Sequence, residues 1–305
     1  MKIAAILTVH NRRQKTLSCL QHLFSAAQAY NRTAQDTVAL TVFLTDDGCT
    51  DGTAEAVRTA FADADIRILQ GDGQLFWAGG MRRAWRAAID EGTHWDFFLL
   101  LNDDTNVADN VFDELLEADR HGAATSGRHG LSSGITCEPG HPDVISYGGL
   151  NFVNKTRGRQ VLLQPSGQPQ HIDMSHANIL LVHAEAVECM GIFHEGFQHG
   201  CADIDYSMMA HRHGLPVFST SHVCGECECD HGTSRDEIDL LCTMTLAERR
   251  QYVNSPTHSD RDYLLFVRRN MPLRYPIAAL LRSIRLRFPR LYRSITHFRG
   301  VYKSR

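Results

Sequence analysis

The period of the apolar positions changes several times along the first hundred residues, and each change marks an element. "IAAILTV" (3–9) reads as a strand, after which Leu17, Leu20, Leu23 and Phe24 recur at helical spacing. "VALTVFLT" (38–45) is a second strand, followed by the polar turn "DDGCTDGT" and a short helix from Thr53. "IRILQ" (66–70) is a third, and "GGMRRAWRAAIDEG" (79–92) has helical character with a glycine stop. "WDFFLLL" (95–101) shows no alternation, so it is expected to be covered on both faces, as central parallel strands are. Strands alternating with helices predict an α/β fold around a mostly parallel sheet. From about 130 to 175 the chain is rich in Gly, Pro and Ser, which predicts loops with a few strands. Regularity returns in "MSHANILLVHAEAVECMGIF" (174–193), and "ADIDYSMMAHRHG" (202–214) predicts a short helix with Asp203 near its start and Gly214 as its stop.

In such sheets ligands bind outside the carboxyl ends of the strands. Three polar clusters fall there: "HNRR" after the first strand, "DDGCTDGT" after the second and "NDDT" after "FFLLL". They are expected to converge on one crevice. Asp103 and Asp104 are adjacent like charges at the end of a buried strand, so a positive group belongs beside them. Hard oxygen ligands suit Mg²⁺ or Mn²⁺, although Asn102 to Thr105 also reads as a plain turn or cap. Asp46 and Asp47 end a strand where a carboxylate can accept from a base N–H or a ribose hydroxyl. The plainer alternative is an acidic turn with a helix cap at Thr50 or Asp51. No G-x-G-x-x-G follows the first strand, which argues against a nicotinamide enzyme.

Composition adds limits. A hydrophobic fraction of 43% and a charged fraction of 22% over 305 residues describe an ordinary globular chain with a sizeable core. No apolar run is long enough to span a bilayer, and "MKIAAILTVHNRR" reads as a first strand rather than a secretory signal. Nine scattered cysteines predict reduced thiols in a cytoplasmic setting. The net charge of −4 conceals two halves: residues 261–305 hold twelve Lys and Arg against one acid, Asp262. The division expected is a catalytic domain over 1–235 and a basic helical extension over 236–305.

Taken in order, "TVHNRR" (8–13), "TDDGCTDGT" (45–53), "GDGQLFWAGGMRRA" (71–84), "LLLNDDT" (99–105) and "GFQHGCADIDYSMMAHRHG" (196–214) resemble family 2 glycosyltransferases. The resemblance covers roughly residues 3–235 and implies the type-A glycosyltransferase fold. The Trp-Ala-Gly-Gly stretch is most similar to the bacterial rhamnosyltransferase-like branch. It implies that Thr8, His10 and Arg12 line a nucleotide pocket, that Asp47 bonds the base, and that Asp46 supports the loop. Gly79 and Gly80 would let backbone approach the nucleotide, and Trp77 would pack on it. Asn102, Asp103 and Asp104 occupy the family's D-x-D motif, with Asp104 as metal ligand and Asp103 facing ribose or sugar. Asp203 matches the general base, with Asp205 in reserve. Ala202 and Asn102 depart from the usual acids, and Arg82 replaces a common Asn and would reach a phosphate instead. The resemblance implies an inverting, Mg- or Mn-dependent transfer from a nucleoside-diphosphate sugar to a glycan or lipid-linked acceptor. A degenerate sugar-nucleotide-binding protein and a sugar-phosphate nucleotidyltransferase are the rival readings, and the latter lacks its glycine-rich phosphate loop.

"CGECECDHGTS" (224–234) invites a zinc reading through Cys224, Cys227, Cys229 and His231, but its spacing is cramped. By resemblance, His231 would complete the metal site. In the tail, Ile277, Leu280, Leu281, Ile284 and Phe288 share one helical face, with Arg282, Arg285 and Arg287 largely off it. Such a helix either lies on anionic lipid or packs on the protein with its arginines paired to acids. No nucleic-acid-binding module is present. The location expected is cytoplasmic, or peripheral on the inner face of a membrane.

Overall fold

The computed structural model describes residues 1–155, 158–229 and 234–298. The chain divides into two compact units. The first comprises Met1–Glu195 and Asp203–Cys229, and the second joins the segment Gly196–Ala202 to the C-terminal helices.

In chain order the first unit contains β1 (Lys2–Val9), α1 (Arg13–Thr33), β2 (Ala39–Asp46), α2 (Thr53–Ala60), β3 (Ile66–Gln70), α3 (Phe76–Asp90) and β4 (Phe97–Leu101). Then follow β5 (Asn106–Val107), α4 (Val111–Ser126), β6 (Leu131–Glu138), β7 (His141–Tyr147), β8 (Gly149–Asn154), β9 (Arg159–Leu162), β10 (Gln170–His171) and β11 (Met174–Ser175). It ends with β12 (Ile179–His183), α5 (Ala184–Met190), α6 (Ala202–Arg212) and β13 (Val217–Glu226). The main sheet runs β10-β13-β6-β12-β4-β1-β2-β3, and β11-β8-β9 form a small second sheet. β1, β2, β3 and β4 are mutually parallel, and β12 alone reverses between β4 and β6. β13 is parallel to β6. The carboxyl ends of β3, β2, β1, β4, β6 and β13 therefore share one edge, and β12 starts from it.

Both faces of β4 are covered, which is why its sequence shows no alternation. Phe97, Leu99 and Leu101 pack with Leu20 and Leu23 of α1 and Leu115 of α4. On the other face Trp85 of α3, fully buried, meets Phe98, Phe193 and Tyr206 with ring centroids 5.4–5.9 Å apart. The span 131–175, expected to be mostly loop, is instead rich in strands. Its buried positions mix apolar side chains with small hydroxyls that satisfy one another, as Ser175 Oγ donates to Ser133 Oγ at 2.7 Å and Thr136 pairs with Ser146 at 2.9 Å. Apolar periodicity cannot report such a layer.

The second unit contains α7 (Ser234–Thr243), α8 (Leu246–Asn254), α9 (Asp260–Asn270), α10 (Tyr275–Arg287) and α11 (Pro289–Phe298). α8 opens with a capping box in which Thr245 and Glu248 satisfy each other's backbone N–H groups. Buried Asp262 accepts the backbone N–H groups of Gln198, His199 and Gly200 at 2.8–3.3 Å. Arg285, 4% exposed, bonds Glu237 and Asp260, both at 2.7 Å, and Arg282 reaches Asp260 at 3.0 Å. The tail's arginines thus pair with acids of their own helical unit. Among the described residues no helix is long and apolar enough to cross a membrane.

Candidate active site

The crevice edge of the sheet is built from turns that hold one another. Asn11, just past β1, sits at φ 53°, donates its N–H to Cys49 Sγ and accepts from the Thr50 N–H at 2.8 Å. That joins the turn after β1 to the turn after β2. Asp46 Oδ1 accepts the Cys49 N–H at 2.7 Å, within the turn after β2. Phe76 opens α3 at φ 53° and Cys201 precedes α6 at φ 64°. A left-handed backbone on such residues is strained, and strain of this kind gathers at functional sites.

Asp47 is buried, and its carboxylate already accepts the N–H groups of Gly73 at 2.8 Å and Phe76 at 2.9 Å. Gly71 is what allows this approach, since a Cβ there would lie 2.6 Å from Asp47 Oδ1. Asp47 therefore shapes the 71–76 loop that leads into α3, where the sequence suggested a free acceptor for a base. His10, exposed, is held through Nδ1 by the Asp47 carbonyl at 2.7 Å.

The positive group beside Asp103 and Asp104 is Arg12. Its Nη1 donates to Asp104 Oδ2 at 2.5 Å and to Asp103 Oδ1 at 3.4 Å. Burial drives Asp103's pKa up to about 7, with Arg12 opposing the shift and Asp104 adding to it. Thr16 Oγ1 also donates to Asp103 at 3.4 Å. Two adjacent carboxylates are hard oxygen donors, so the donor set fits Mg²⁺ or Mn²⁺. Two thiols complete the surroundings. Cys227 Sγ, at the end of β13, lies 3.8 Å from Asp104 Oδ1, and Cys19 Sγ donates to the Asn102 carbonyl at 3.3 Å. Burial first, then the two acids, hold the Cys19 pKa well above the ordinary thiol value.

Asp203 sits half-buried in the first turn of α6 and accepts the Ala177 N–H at 3.0 Å and its neighbour Ile204's at 2.8 Å. The next residue, Asn178, accepts the Asn102 N–H on its carbonyl at 3.2 Å and donates its side-chain amide to Cys227 Sγ at 3.3 Å. One short segment, Ala177 and Asn178, thus ties Asp203 to the turn that carries Asp103 and Asp104. Asn102 Oδ1 accepts from the Trp77 indole at 2.8 Å, and Trp77 rests on Phe193 with centroids 5.5 Å apart.

Several residues stand elsewhere than the sequence suggested. Gly80 permits close approach to Thr8 of β1, not to a ligand: a Cβ there would lie 2.0 Å from Thr8 Oγ1. Thr8 is itself buried by that contact. Gly79 lies against Leu75, where a Cβ would meet Leu75 Cβ at 3.3 Å. Arg82 is buried and engages the His194 carbonyl at 3.2 Å and Glu195 at 3.4 Å, away from the phosphate role. Asp205 is 1% exposed, which removes it as a reserve base. Cys224 is buried in the main core while Cys229 is exposed, so the thiols of 224–229 do not converge. His231 lies outside the described residues. Sequence reasoning grouped Cys227 with the neighbouring thiols rather than with Asp104, and it missed the Ala177–Asn178 tie. The position of "CGEC" after the last strand was the one signal for the former.

Among the described residues, Asp119, His129 and His183 form a separate cluster. His183 pairs in register with Phe97, at the start of β4, so this cluster occupies the opposite edge of the sheet.

An open, mostly parallel sheet with a reversed strand between β4 and β6 and an acidic turn at its crevice edge is the type-A glycosyltransferase fold, and solved structures agree. A mannosyltransferase from Pyrobaculum calidifontis, PcManGT, in complex with GDP-Man and Mn²⁺, is 15% identical with TM-score 0.52, over 99% of this chain and 81% of that one. TarS 1–349 from S. aureus is 12% identical with TM-score 0.56, over 100% and 93%. Its UDP-GlcNAc complex is 13% identical with TM-score 0.50, over 89% and 73%. No curated protein matches the chain by sequence. Residues 4–158 match the family model for glycosyl transferase family 2, and the chain belongs to that family.

Proposed function

We propose that this glycosyltransferase moves a sugar from a nucleoside-diphosphate sugar to a glycan or lipid-linked acceptor, with inversion at the anomeric carbon. The observation that carries the reading is the tie through Ala177 and Asn178, which holds Asp203 to the turn bearing Asp103 and Asp104. The nucleotide-sugar complexes of the structural neighbours support a donor of this class. The Trp77 stretch, by resemblance, favours a deoxythymidine-diphosphate sugar such as dTDP-rhamnose, used in surface polysaccharide synthesis. Trp77, His10 and the loop ordered by Asp47 wall the nucleotide pocket.

Asp104 would hold Mg²⁺ or Mn²⁺ with Asp103 beside it, and a bound cation supplies charge that offsets the leaving diphosphate. Where a cation took the place of Arg12 beside these carboxylates, the guanidinium would turn to phosphate. Asp203 accepts the proton of the acceptor hydroxyl as that oxygen attacks the anomeric carbon from the side opposite the leaving group. Its two oxygens each accept one backbone N–H, from Ala177 and from Ile204, and together these hold the plane of the carboxylate. A lipid-linked acceptor would bring the chain, as a cytoplasmic protein, to the inner face of a membrane. The non-catalytic reading draws on Asn102, whose side chain is turned to Trp77 rather than offered to a ligand.

The test pairs two variants. Asp203→Asn is expected to keep nucleotide binding and lose ~10²–10⁴ of transfer rate. Asp104→Ala is expected to abolish metal-dependent heat of nucleotide binding, measured with Mn²⁺, with Mg²⁺ and with chelator. Full turnover in Asp203→Asn removes that residue from the mechanism. No nucleotide binding by the folded parent chain leaves the enzymatic reading without support.

A further inference from the structure

Two arginines of α10 turn inward while two of its large apolar residues turn outward, the reverse of what an ordinary surface helix does with such residues. Arg282 and Arg285 point to Asp260 and Glu237. Leu273, just before α10, is 94% exposed, and Ile277 and Leu280, spaced to share one helical face with it, are 58% and 61% exposed. Phe288 and Leu291 continue the exposure at 60% and 52%. Single exposed leucines are ordinary, but five in one continuous segment form a patch that calls for a partner.

The charge around the patch selects that partner. From 263 to 298 the chain contains no Asp or Glu, and the exposed cations Arg287 and Arg290 stand beside Phe288 and Leu291. A second copy laid symmetrically on this face would set those arginines against their own counterparts. An anionic lipid surface offers phosphate to the arginines and hydrocarbon to the leucines at once. We propose that Leu273, Ile277 and Leu280 enter the headgroup–acyl boundary of a membrane containing anionic phospholipid, with Arg287 and Arg290 at its phosphates. This sharpens the peripheral location in the reading above, yet it rests on the C-terminal helices alone and is tested apart from the chemistry.

The experiment is co-sedimentation of the full chain with vesicles of phosphatidylcholine alone or with phosphatidylglycerol added. Binding is expected to be at least tenfold stronger to the anionic vesicles and to weaken with salt, as each basic residue near the surface strengthens attachment about fivefold. Ile277→Asp with Leu280→Asp is expected to abolish it while leaving the melting temperature and nucleotide binding unchanged, because both positions are exposed. Arg287→Gln with Arg290→Gln is expected to remove most of the preference for anionic lipid. Absence of vesicle binding by the parent chain overturns the proposal. So does undiminished binding by the double aspartate variant, or a dimer that this variant breaks while vesicles go unbound. Loss of nucleotide binding in the parent chain would count against the catalytic reading and leave this one intact.

Discussion

Two regions of the molecule set arginine against a pair of carboxylates, and they differ in which partner is buried. At the crevice, Asp103 and Asp104 are the buried side, with side-chain exposures of 9% and 10%, while Arg12 is 42% exposed. In the helical unit the order reverses: Arg285 is 4% exposed, and Asp260 and Glu237 are 16% and 34%. An exposed arginine over buried acids can swing into water and leave a cation site behind. A buried arginine has no such exit, and its departure would strand it without hydration. Burial lowers the pKa of Arg285, and Asp260 and Glu237 outweigh that effect and keep it charged. The same three groups meet in both places, and what differs is whether water reaches the cation or the acids.

The comparison breaks most readily at Arg285. Arg285→Ala leaves two acids facing each other and is expected to cost about 3–5 kcal/mol in urea unfolding. A loss as small as that from an Arg12 variant would erase the contrast. Asp262→Ala tests an acid whose partners are backbone N–H groups rather than an arginine. A cost of about 1–3 kcal/mol is expected, with faster hydrogen exchange at Gln198, His199 and Gly200. Arg12→Met is expected to cost less than about 1 kcal/mol, because a half-exposed ion pair is screened by water. Removing that competitor is also expected to tighten Mn²⁺ binding without nucleotide by up to about fivefold, read by calorimetry. Weaker Mn²⁺ binding in that variant would mean Arg12 supports the ion rather than standing in for it.

Much of this contrast lies beyond sequence patterns. β1 and β4 announce themselves because unbroken apolar runs have no other use in a doubly covered sheet. The crevice follows from strand direction alone, and the acidic turn's need for a cation follows from Coulomb repulsion. That the chain supplies its own cation, Arg12, depends on a side chain reaching across 92 residues. The strands of 131–175 stay hidden because Ser133, Thr136, Ser146 and Ser175 fill their interior with paired hydroxyls. In α10 the apolar stripe was visible, but its outward direction was not. Helical periodicity fixes which residues share a face, and only the positions of Asp260 and Glu237 decide which face turns in.

The clasp of Asp262 on Gln198, His199 and Gly200 has a bearing on how such enzymes are inherited. The chain leaves the first unit after Glu195, gives seven residues to the helical unit, and re-enters at Asp203. A gene truncated after the last strand would encode an intact sheet whose segment before Asp203 had lost its anchor in α9. Exchanging C-terminal segments between relatives would likewise fail unless the graft brought an acid to the position of Asp262. Residues 196–202 and α9 are therefore a hereditary pair, and substitutions in the two are expected to travel together.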